Sequence, residues 1–172
     1  MKIRLRIFTL TISIVFGILA QPLHAQDLLT QKLLPLELST HAAMAAVKKC
    51  HDDGFKVSVA IVDQSGLLKV QLKADGAGPH TLDSSRRKAY TANSLRDSTH
   101  KYAVLIAQKP ELQSLARLNE NILLLGGGFP IKIGGEVVGG IGVGGAPGIE
   151  FDEICASAAL KVLKADETYE KK

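Results

Sequence analysis

The chain has 172 residues, of which 46% are hydrophobic and 22% are charged, and it has a formal net charge of +4. This length suits one domain with an ordinary core, and no internal repeat, low-complexity linker or long charge run indicates a second one. Aromatic residues make up only 5% of the chain, and the basic residues are dispersed among acidic ones. The sequence therefore lacks the clustered basic residues that are typical of a nucleic-acid-binding protein.

The N-terminus predicts a secretory signal peptide over residues 1–25. Lys2, Arg4 and Arg6 form a positive start, residues 7–20 are uncharged and mostly apolar, and Ala25 is a small residue suited to cleavage. A helix over residues 7–20 would span only about 21 Å, less than the ~30 Å hydrocarbon core, which disfavours a retained membrane anchor. We therefore expect a periplasmic or secreted protein with no membrane span in its mature chain.

Cleavage would remove three cations and no acids, leaving 18 Lys and Arg against 17 Asp and Glu. Most of the net positive charge of the whole chain therefore comes from the predicted signal peptide. The mature chain is predicted to have an N-terminal tail over residues 26–35, a single domain over 36–165 and a C-terminal tail over 166–172.

The first half of the mature chain predicts a helix, a hairpin and a second helix. Ser39 is expected to cap an alanine-rich helix over 40–52 that ends at Gly54. Alternating apolar residues and a central turn predict a β-hairpin. The hairpin strands cover 56–63 and 67–73, and the second helix covers 81–95.

The second half predicts a helical patch over 111–118, a strand over 122–125 and another hairpin. The strands of this hairpin, 131–133 and 137–143, are expected to pair across Gly134 and Gly135. From about Phe151 onward, apolar residues recur at three- and four-residue spacing, which indicates a final helix. Two hairpins flanking a helical middle predict an α+β domain with an antiparallel sheet of about five strands and helices packed on it.

Eleven of the 16 glycines lie between Gly126 and Gly148. Gly140, Gly142 and Gly145 form a literal G-x-G-x-x-G, but no second strand with an acidic residue follows, as a dinucleotide site requires. The P-loop pattern fails too, because no Lys-Ser or Lys-Thr pair follows a glycine run. We expect these glycines to permit close backbone approach, a bulge, or tight packing of a helix or subunit, at a sheet edge or a subunit contact.

The two cysteines, Cys50 and Cys155, leave two alternatives open. In an exported protein they could form a disulfide that closes a long loop, which would stabilise the domain by roughly 4–5 kcal/mol on the chain-entropy model. They could equally be two buried free thiols.

The mature chain has four histidines, at 41, 51, 80 and 100. None has a recognised short zinc-ligand spacing. On one helix His41 and His51 would differ by about 80° and lie about 15 Å apart, so they cannot bind the same ion. No serine has a hydrolase signature. Asp63 and the pair Asp152-Glu153 could be acid–base groups, but carboxylates at a turn and in a first helical turn are more simply structural.

Segment 83–101 is the densest in chemical groups. The cations Arg86, Arg87, Lys88, Arg96 and Lys101 surround the donors Tyr90, Thr99 and His100. Cations beside oxygen and nitrogen donors suit an anionic ligand with a metal centre, such as haem with its two propionates. The alternative is a solvated helical face.

Six sequence motifs in register resemble the GlcG/HbpS-like family of small haem-binding, haem-degrading domains, which also includes the C-terminal domain of PduO-type proteins. The motifs are VAIVDQSG (59–66), DGAGP (75–79), RKAYTA (87–92), STH (98–100), GGGFPI (126–131) and VVGGIGVGGA (137–146), followed by DE (152–153) at the start of the last helix. The resemblance covers residues 36–163.

The resemblance implies a three-layer α/β/α fold, a homo-oligomer, and haem as cofactor in a surface or intersubunit cleft. In haem-binding relatives a threonine at the position of Thr99 ligates iron. His100 is its physical competitor, because imidazole is the usual haem donor, and His51 and His41 are more distant candidates. The other residues expected to contact the cofactor are Arg87, Lys88, Tyr90 and Lys101.

The resemblance further implies an exported haem-binding protein with slow peroxide-dependent haem degradation, iron release or redox sensing through an exported or membrane sensor partner. Such a protein would bind a ligand rather than act as an efficient enzyme. The alternative is a non-catalytic interaction, sensory or accessory module of an exported oxidation system that does not need haem.

Overall fold

The computed structural model describes residues 30–166, so the predicted signal peptide and most of the C-terminal tail lie outside the described residues. In chain order the elements are α1 (Leu36–Asp52), β1 (Ser58–Asp63), β2 (Leu68–Lys73), α2 (His80–Leu95), α3 (Thr99–Gln108), a 3₁₀ helix (Pro110–Arg117), β3 (Gly128–Ile133), β4 (Glu136–Gly144) and α4 (Ile149–Val162). No helix among the described residues is both long and apolar enough to cross a membrane.

The strands form one antiparallel sheet in the order β2-β1-β4-β3. Helices α1 and α4 pack together on one face of the sheet, and α2 packs on the other face. The predicted α+β class and the three-layer arrangement are therefore confirmed, with four strands in place of about five.

The main core lies between the sheet and the α1–α4 layer. Alanines on both helices are fully buried, among them Ala42, Ala46 and Ala159, and they face branched residues of the sheet such as Val59 and Ile141. Small residues on the helices face larger ones on the strands, which lets the two surfaces interdigitate as close packing requires.

The glycines of β4 permit α2 to lie against the opposite face of the sheet. Gly142 pairs with Ala60 on one side and with Gly128 on the other, so a row of very small residues crosses the sheet under α2. A Cβ atom at Gly142 would lie 2.1 Å from the backbone oxygen of Ser85. The predicted close backbone approach is confirmed. β4 is an interior strand with a partner on each side, whereas Gly128 of the same glycine run begins the edge strand β3.

The segment predicted as a strand over 122–125 is not one. The backbone N–H of Leu123 donates to the Thr91 hydroxyl (2.8 Å), and the Ile122 carbonyl accepts from Arg87 (2.7 Å). The backbone groups that a strand would use are therefore bonded to α2 side chains. Helix α3, which begins at Thr99, was not predicted.

The start of α1 also differs from the prediction. The helix begins at Leu36, directly after Pro35, and the Ser39 hydroxyl donates to the Pro35 carbonyl at 2.8 Å. Ser39 thus lies inside the first turn and is not the cap. Leu34 is buried in the core, and the Asp166 carboxylate accepts hydrogen bonds from the N–H groups of the hairpin turn between β3 and β4.

A disulfide between Cys50 and Cys155 joins the last turn of α1 to α4, which decides between the two alternatives left open by the sequence. Beside it the rings of Phe55 and Phe151 pack with centroids 4.9 Å apart. The end of α1 is therefore fixed to α4 by a covalent bond and an aromatic contact.

Candidate functional site

Lys88 lies inside the protein and not on a cationic surface. Its side chain is only 2% exposed; Nζ donates to Asp152 Oδ2 at 2.8 Å and to the Val143 carbonyl at 2.9 Å. Asp152 also accepts a hydrogen bond from the Ala146 N–H. Burial raises the pKa of Asp152, and the nearby ammonium of Lys88 opposes that shift. This ion pair ties α2 to the first turn of α4, and Lys88 has no surface available to a ligand.

Thr99 is also fully buried. Its hydroxyl donates to the Leu125 carbonyl at 2.7 Å and accepts from the Gly128 N–H at 3.0 Å. The methyl group faces Gly128, where a Cβ atom would lie 2.7 Å from it. Thr99 therefore connects the start of α3 to the start of β3, and ligation of iron would require it to give up these bonds.

The neighbouring His100 presents an accessible imidazole. Its side chain is 41% exposed, and Nδ1 lies 3.2 Å from Oε1 of the buried Glu153. Glu153 also accepts from the Gly127 N–H, and burial raises its pKa while His100 opposes that shift. Because the carboxylate engages Nδ1, the remaining nitrogen Nε2 is the one available to a ligand.

The other cations of segment 83–101 are mostly bonded within the protein. Arg87 bonds to the Ile122 carbonyl and pairs with Asp83, which also pairs with Arg86. The exposed Lys101 pairs with Asp97. This pattern matches the solvated, internally paired helical face more closely than a row of free cations.

Tyr90 lies on the side of α2 away from Lys88. Two residues apart on a helix are about 200° apart around its axis. The Tyr90 ring packs against Gly66 in the turn between β1 and β2, where a Cβ atom would lie 2.9 Å from the ring. The structure thus brings Lys88, Thr99 and His100 into one region and leaves Tyr90 at the opposite hairpin.

A cleft of about 790 Å³ opens between the C-terminal half of α1 and the end of β2. We call it the His51 cleft. Its apolar lining consists of Met44, Val47, Phe55, Leu72 and Ala74; its polar lining consists of His51, three lysines (48, 56 and 73) and two aspartates (52 and 75). The volume lies within the range of roughly 300–1,000 Å³ that is typical of small-molecule and cofactor sites.

His51 is 82% exposed at the cleft, and its Nδ1 lies 3.8 Å from Oδ1 of Asp52. Lys48 hydrogen-bonds to Asp52 and holds the pKa of that carboxyl below its usual value. His41, on the same helix, is exposed and does not line the cleft.

The sequence analysis named His51 as a distant candidate but missed the cleft. The available signal was the spacing of Met44, Val47 and His51, which places them on one face of α1 at i, i+3 and i+7. That pattern is indistinguishable from an ordinary core stripe until β2 is placed opposite it.

The described residues therefore offer two accessible imidazoles that contact a carboxylate, His100 and His51. Among them, no group of three or more His, Cys, Asp and Glu side chains could hold a metal ion by itself. The cleft combines one apolar wall with an exposed imidazole and lysine amines, which are the kinds of group that a large, flat cofactor with its own metal and carboxylates would need.

The family model described as "Haem degrading protein HbpS-like" matches residues 34–161. HbpS from Streptomyces reticuli, solved as a double mutant, is 43% identical with a TM-score of 0.75, covering 80% of this chain and 92% of that one. A structure of a PduOC:heme complex is 25% identical with a TM-score of 0.73, covering 81% of this chain and 100% of that one.

One relative is a Citrobacter freundii protein described as an uncharacterized 15.0 kDa protein in the dhaT-dhaS intergenic region. It is 31% identical to this chain over 128 residues, which cover 74% of this chain and 89% of that protein. The corrinoid adenosyltransferase PduO of Salmonella typhimurium is 26% identical over 148 residues. The match with PduO spans only 42% of that relative's length.

Proposed function

Since this chain belongs to the HbpS-like family of haem-degrading proteins, we propose that it is an exported haem-binding protein. The observation that supports haem most directly is the His51 cleft, which combines an apolar wall, an exposed imidazole and lysine amines. The description of the family and the haem complex of a structural relative point to the same cofactor. The predicted signal peptide supports export.

We propose that an imidazole, and not the Thr99 hydroxyl, binds the haem iron. The hydroxyl is buried and already engaged by a carbonyl and an N–H group, whereas His100 and His51 both have a ring nitrogen available at the surface. A neutral threonine oxygen is also a weaker haem donor than imidazole. Three cations were expected at the haem propionates. Lys88 instead joins α2 to α4 through Asp152. Arg87 and Lys101 would have to leave their present hydrogen-bond and ion-pair partners to bind a propionate.

Haem, when bound, supplies the iron chemistry by which peroxide could slowly break down the ring and release iron. We expect the chain's own residues to bind and orient the cofactor. A homo-oligomer and a sensor partner belong to the same proposal, on the strength of the family resemblance.

Titration of the purified mature protein with hemin tests the proposal. We expect a Soret band that saturates at a defined stoichiometry, at micromolar hemin or below. The variants Thr99→Ala, His100→Ala and His51→Ala then locate the donor, with circular dichroism as a check that each one folds. Because Thr99 has a structural role, Thr99→Ala should lower thermal stability and leave the Soret band unchanged.

Two results would contradict the proposal. Absence of any spectral change in the folded wild-type protein would refute haem binding and favour an interaction or accessory module. A Soret band abolished in folded Thr99→Ala but unchanged in both histidine variants would place the donor at Thr99.

A further inference from the structure

We infer that the disulfide between Cys50 and Cys155 is a one-way folding lock. The bond holds α1 on α4, and once formed it is out of reach of reductants, so the cysteine pair is not a reversible redox switch. This inference goes beyond haem binding and rests only on the proposed export, since an oxidising compartment is where such a bond forms and persists. Three observations support it: what α1 buries, which elements the bond joins, and the burial of both cysteines.

Helix α1 buries little apolar surface of its own. The residues that it buries are Ser39, Ala42, Ala43, Ala46 and Cys50. Its larger apolar side chains are only partly buried or are exposed. Burial of an alanine removes much less apolar area from water than burial of a valine, leucine or isoleucine. The hydrophobic effect therefore holds α1 on the domain only weakly, which leaves a large share of this task to the covalent bond.

The bond joins the first and the last elements that the structure describes. Cys50 lies in α1 and Cys155 lies in α4, 105 positions further along the chain. In the reduced chain, docking of α1 on α4 has to overcome the entropy of closing this long loop, whereas the bond removes that entropy from the unfolded chain. We therefore expect α1 to be the element that depends most on the bond.

Both cysteines are sealed inside the protein. Cys50 and Cys155 are each 0% exposed. A thiol reductant breaks a disulfide when its thiolate attacks one of the two sulfurs, which requires that this sulfur be accessible. Reduction of the folded protein therefore has to wait until α1 moves away from α4. A reversible redox switch needs the opposite arrangement, with cysteines that its reductant can reach.

The same burial requires the bond to form before α1 closes on α4. The oxidant is a disulfide-containing molecule or protein of the oxidising compartment. One cysteine thiolate attacks the oxidant to give a mixed disulfide, and the second cysteine thiolate then attacks the protein sulfur of that bond and releases the oxidant. Two cysteine thiols are thereby oxidised to one disulfide, and the oxidant is reduced to two thiols that take up the two protons.

The first arm of the experiment measures reduction of the oxidised mature protein. Dithiothreitol is added in buffer and in urea below the unfolding transition, and free thiols are counted by alkylation and mass spectrometry, with oxidised glutathione as an exposed reference disulfide. We expect reduction in buffer to be at least about 100-fold slower than for glutathione and to accelerate with urea, because opening of α1 limits it. Equal rates in buffer would overturn the inference and make the pair a reversible redox element.

The second arm identifies what holds α1 in place. Amide hydrogen exchange compares wild type with Cys50→Ala/Cys155→Ala, and with Phe151→Leu as a control that alters the ring contact with Phe55 and leaves the bond intact. In the cysteine variant we expect the amides of α1 to exchange at least about tenfold faster than in wild type, with a smaller change in β4 and little change in the control. Wild-type protection of α1 without the bond, or an equal loss in Phe151→Leu, would show that packing holds α1 and would contradict the lock.

Refolding of the unaltered sequence covers the case in which the cysteine variant does not fold. Reduced wild type is diluted from urea into reduced glutathione alone or into a mixture of reduced and oxidised glutathione. We expect native near-ultraviolet circular dichroism to return only in the mixture, and equal recovery in both buffers would refute the inference. Cell fractionation tests export separately, because mature protein in the cytoplasm would refute the proposed export and leave these results on the purified protein unchanged.

Discussion

Substitution of a single glycine, Gly142→Ala, tests the packing of α2 on β4. The added methyl carbon would lie 2.1 Å from the Ser85 oxygen and 2.5 Å from the Ala89 nitrogen, both of them backbone atoms, whereas real contacts are 3.0 Å or longer. Helix α2 would have to move by about 1 Å. Overpacking of this kind costs about 1–3 kcal/mol, offset by about 0.4–1 kcal/mol because alanine restricts the unfolded chain.

From the middle of these ranges the net loss is about 1–2 kcal/mol, which should lower the midpoint of thermal unfolding by roughly 2–8 °C for a domain of this size. Gly144→Ala is the matched control, since it is on the same strand and its nearest neighbour is the Ser84 hydroxyl, a side chain that can rotate, with backbone no closer than 3.6 Å. Calorimetry on both variants gives the comparison. A Gly142→Ala protein as stable as wild type, or a Gly144→Ala protein equally damaged, would refute the packing argument.

Two further predictions concern the disulfide and a buried carboxyl. Cys50→Ser should lower the free energy of unfolding in urea by about 2–5 kcal/mol, and an equal stability of wild type with and without reductant would contradict this. Burial raises the pKa of Glu153 in the folded protein above its usual value of 4.5. The folded protein therefore loses stability as pH rises from 4.5 through the folded-state pKa, because the unfolded chain releases this proton more readily. The stability of Glu153→Gln relative to wild type should therefore increase between about pH 4 and pH 7, and a pH-independent difference would show that His100 fully compensates for burial.

Much of the architecture follows from local patterns. Alternation in β1 and β2, the glycine turn between β3 and β4, and the apolar spacing after Phe151 each give the correct element, because periodicity reflects which side of an element is buried. The exceptions have tertiary causes. Residues 122–125 look like a strand by composition, but Thr91 and Arg87 take up their backbone groups.

The sequence by itself determined most of the elements, the family and the residue types suited to a haem ligand. Only the tertiary structure decided which of those residues are accessible. Lys88 and Thr99 look like ligand contacts in a polar segment, yet the helices bury them against Asp152 and Gly128. The glycine run likewise has no phosphate-loop geometry and instead permits α2 to approach β4. The His51 cleft forms only when β2 is placed beside α1, because its walls are distant in sequence.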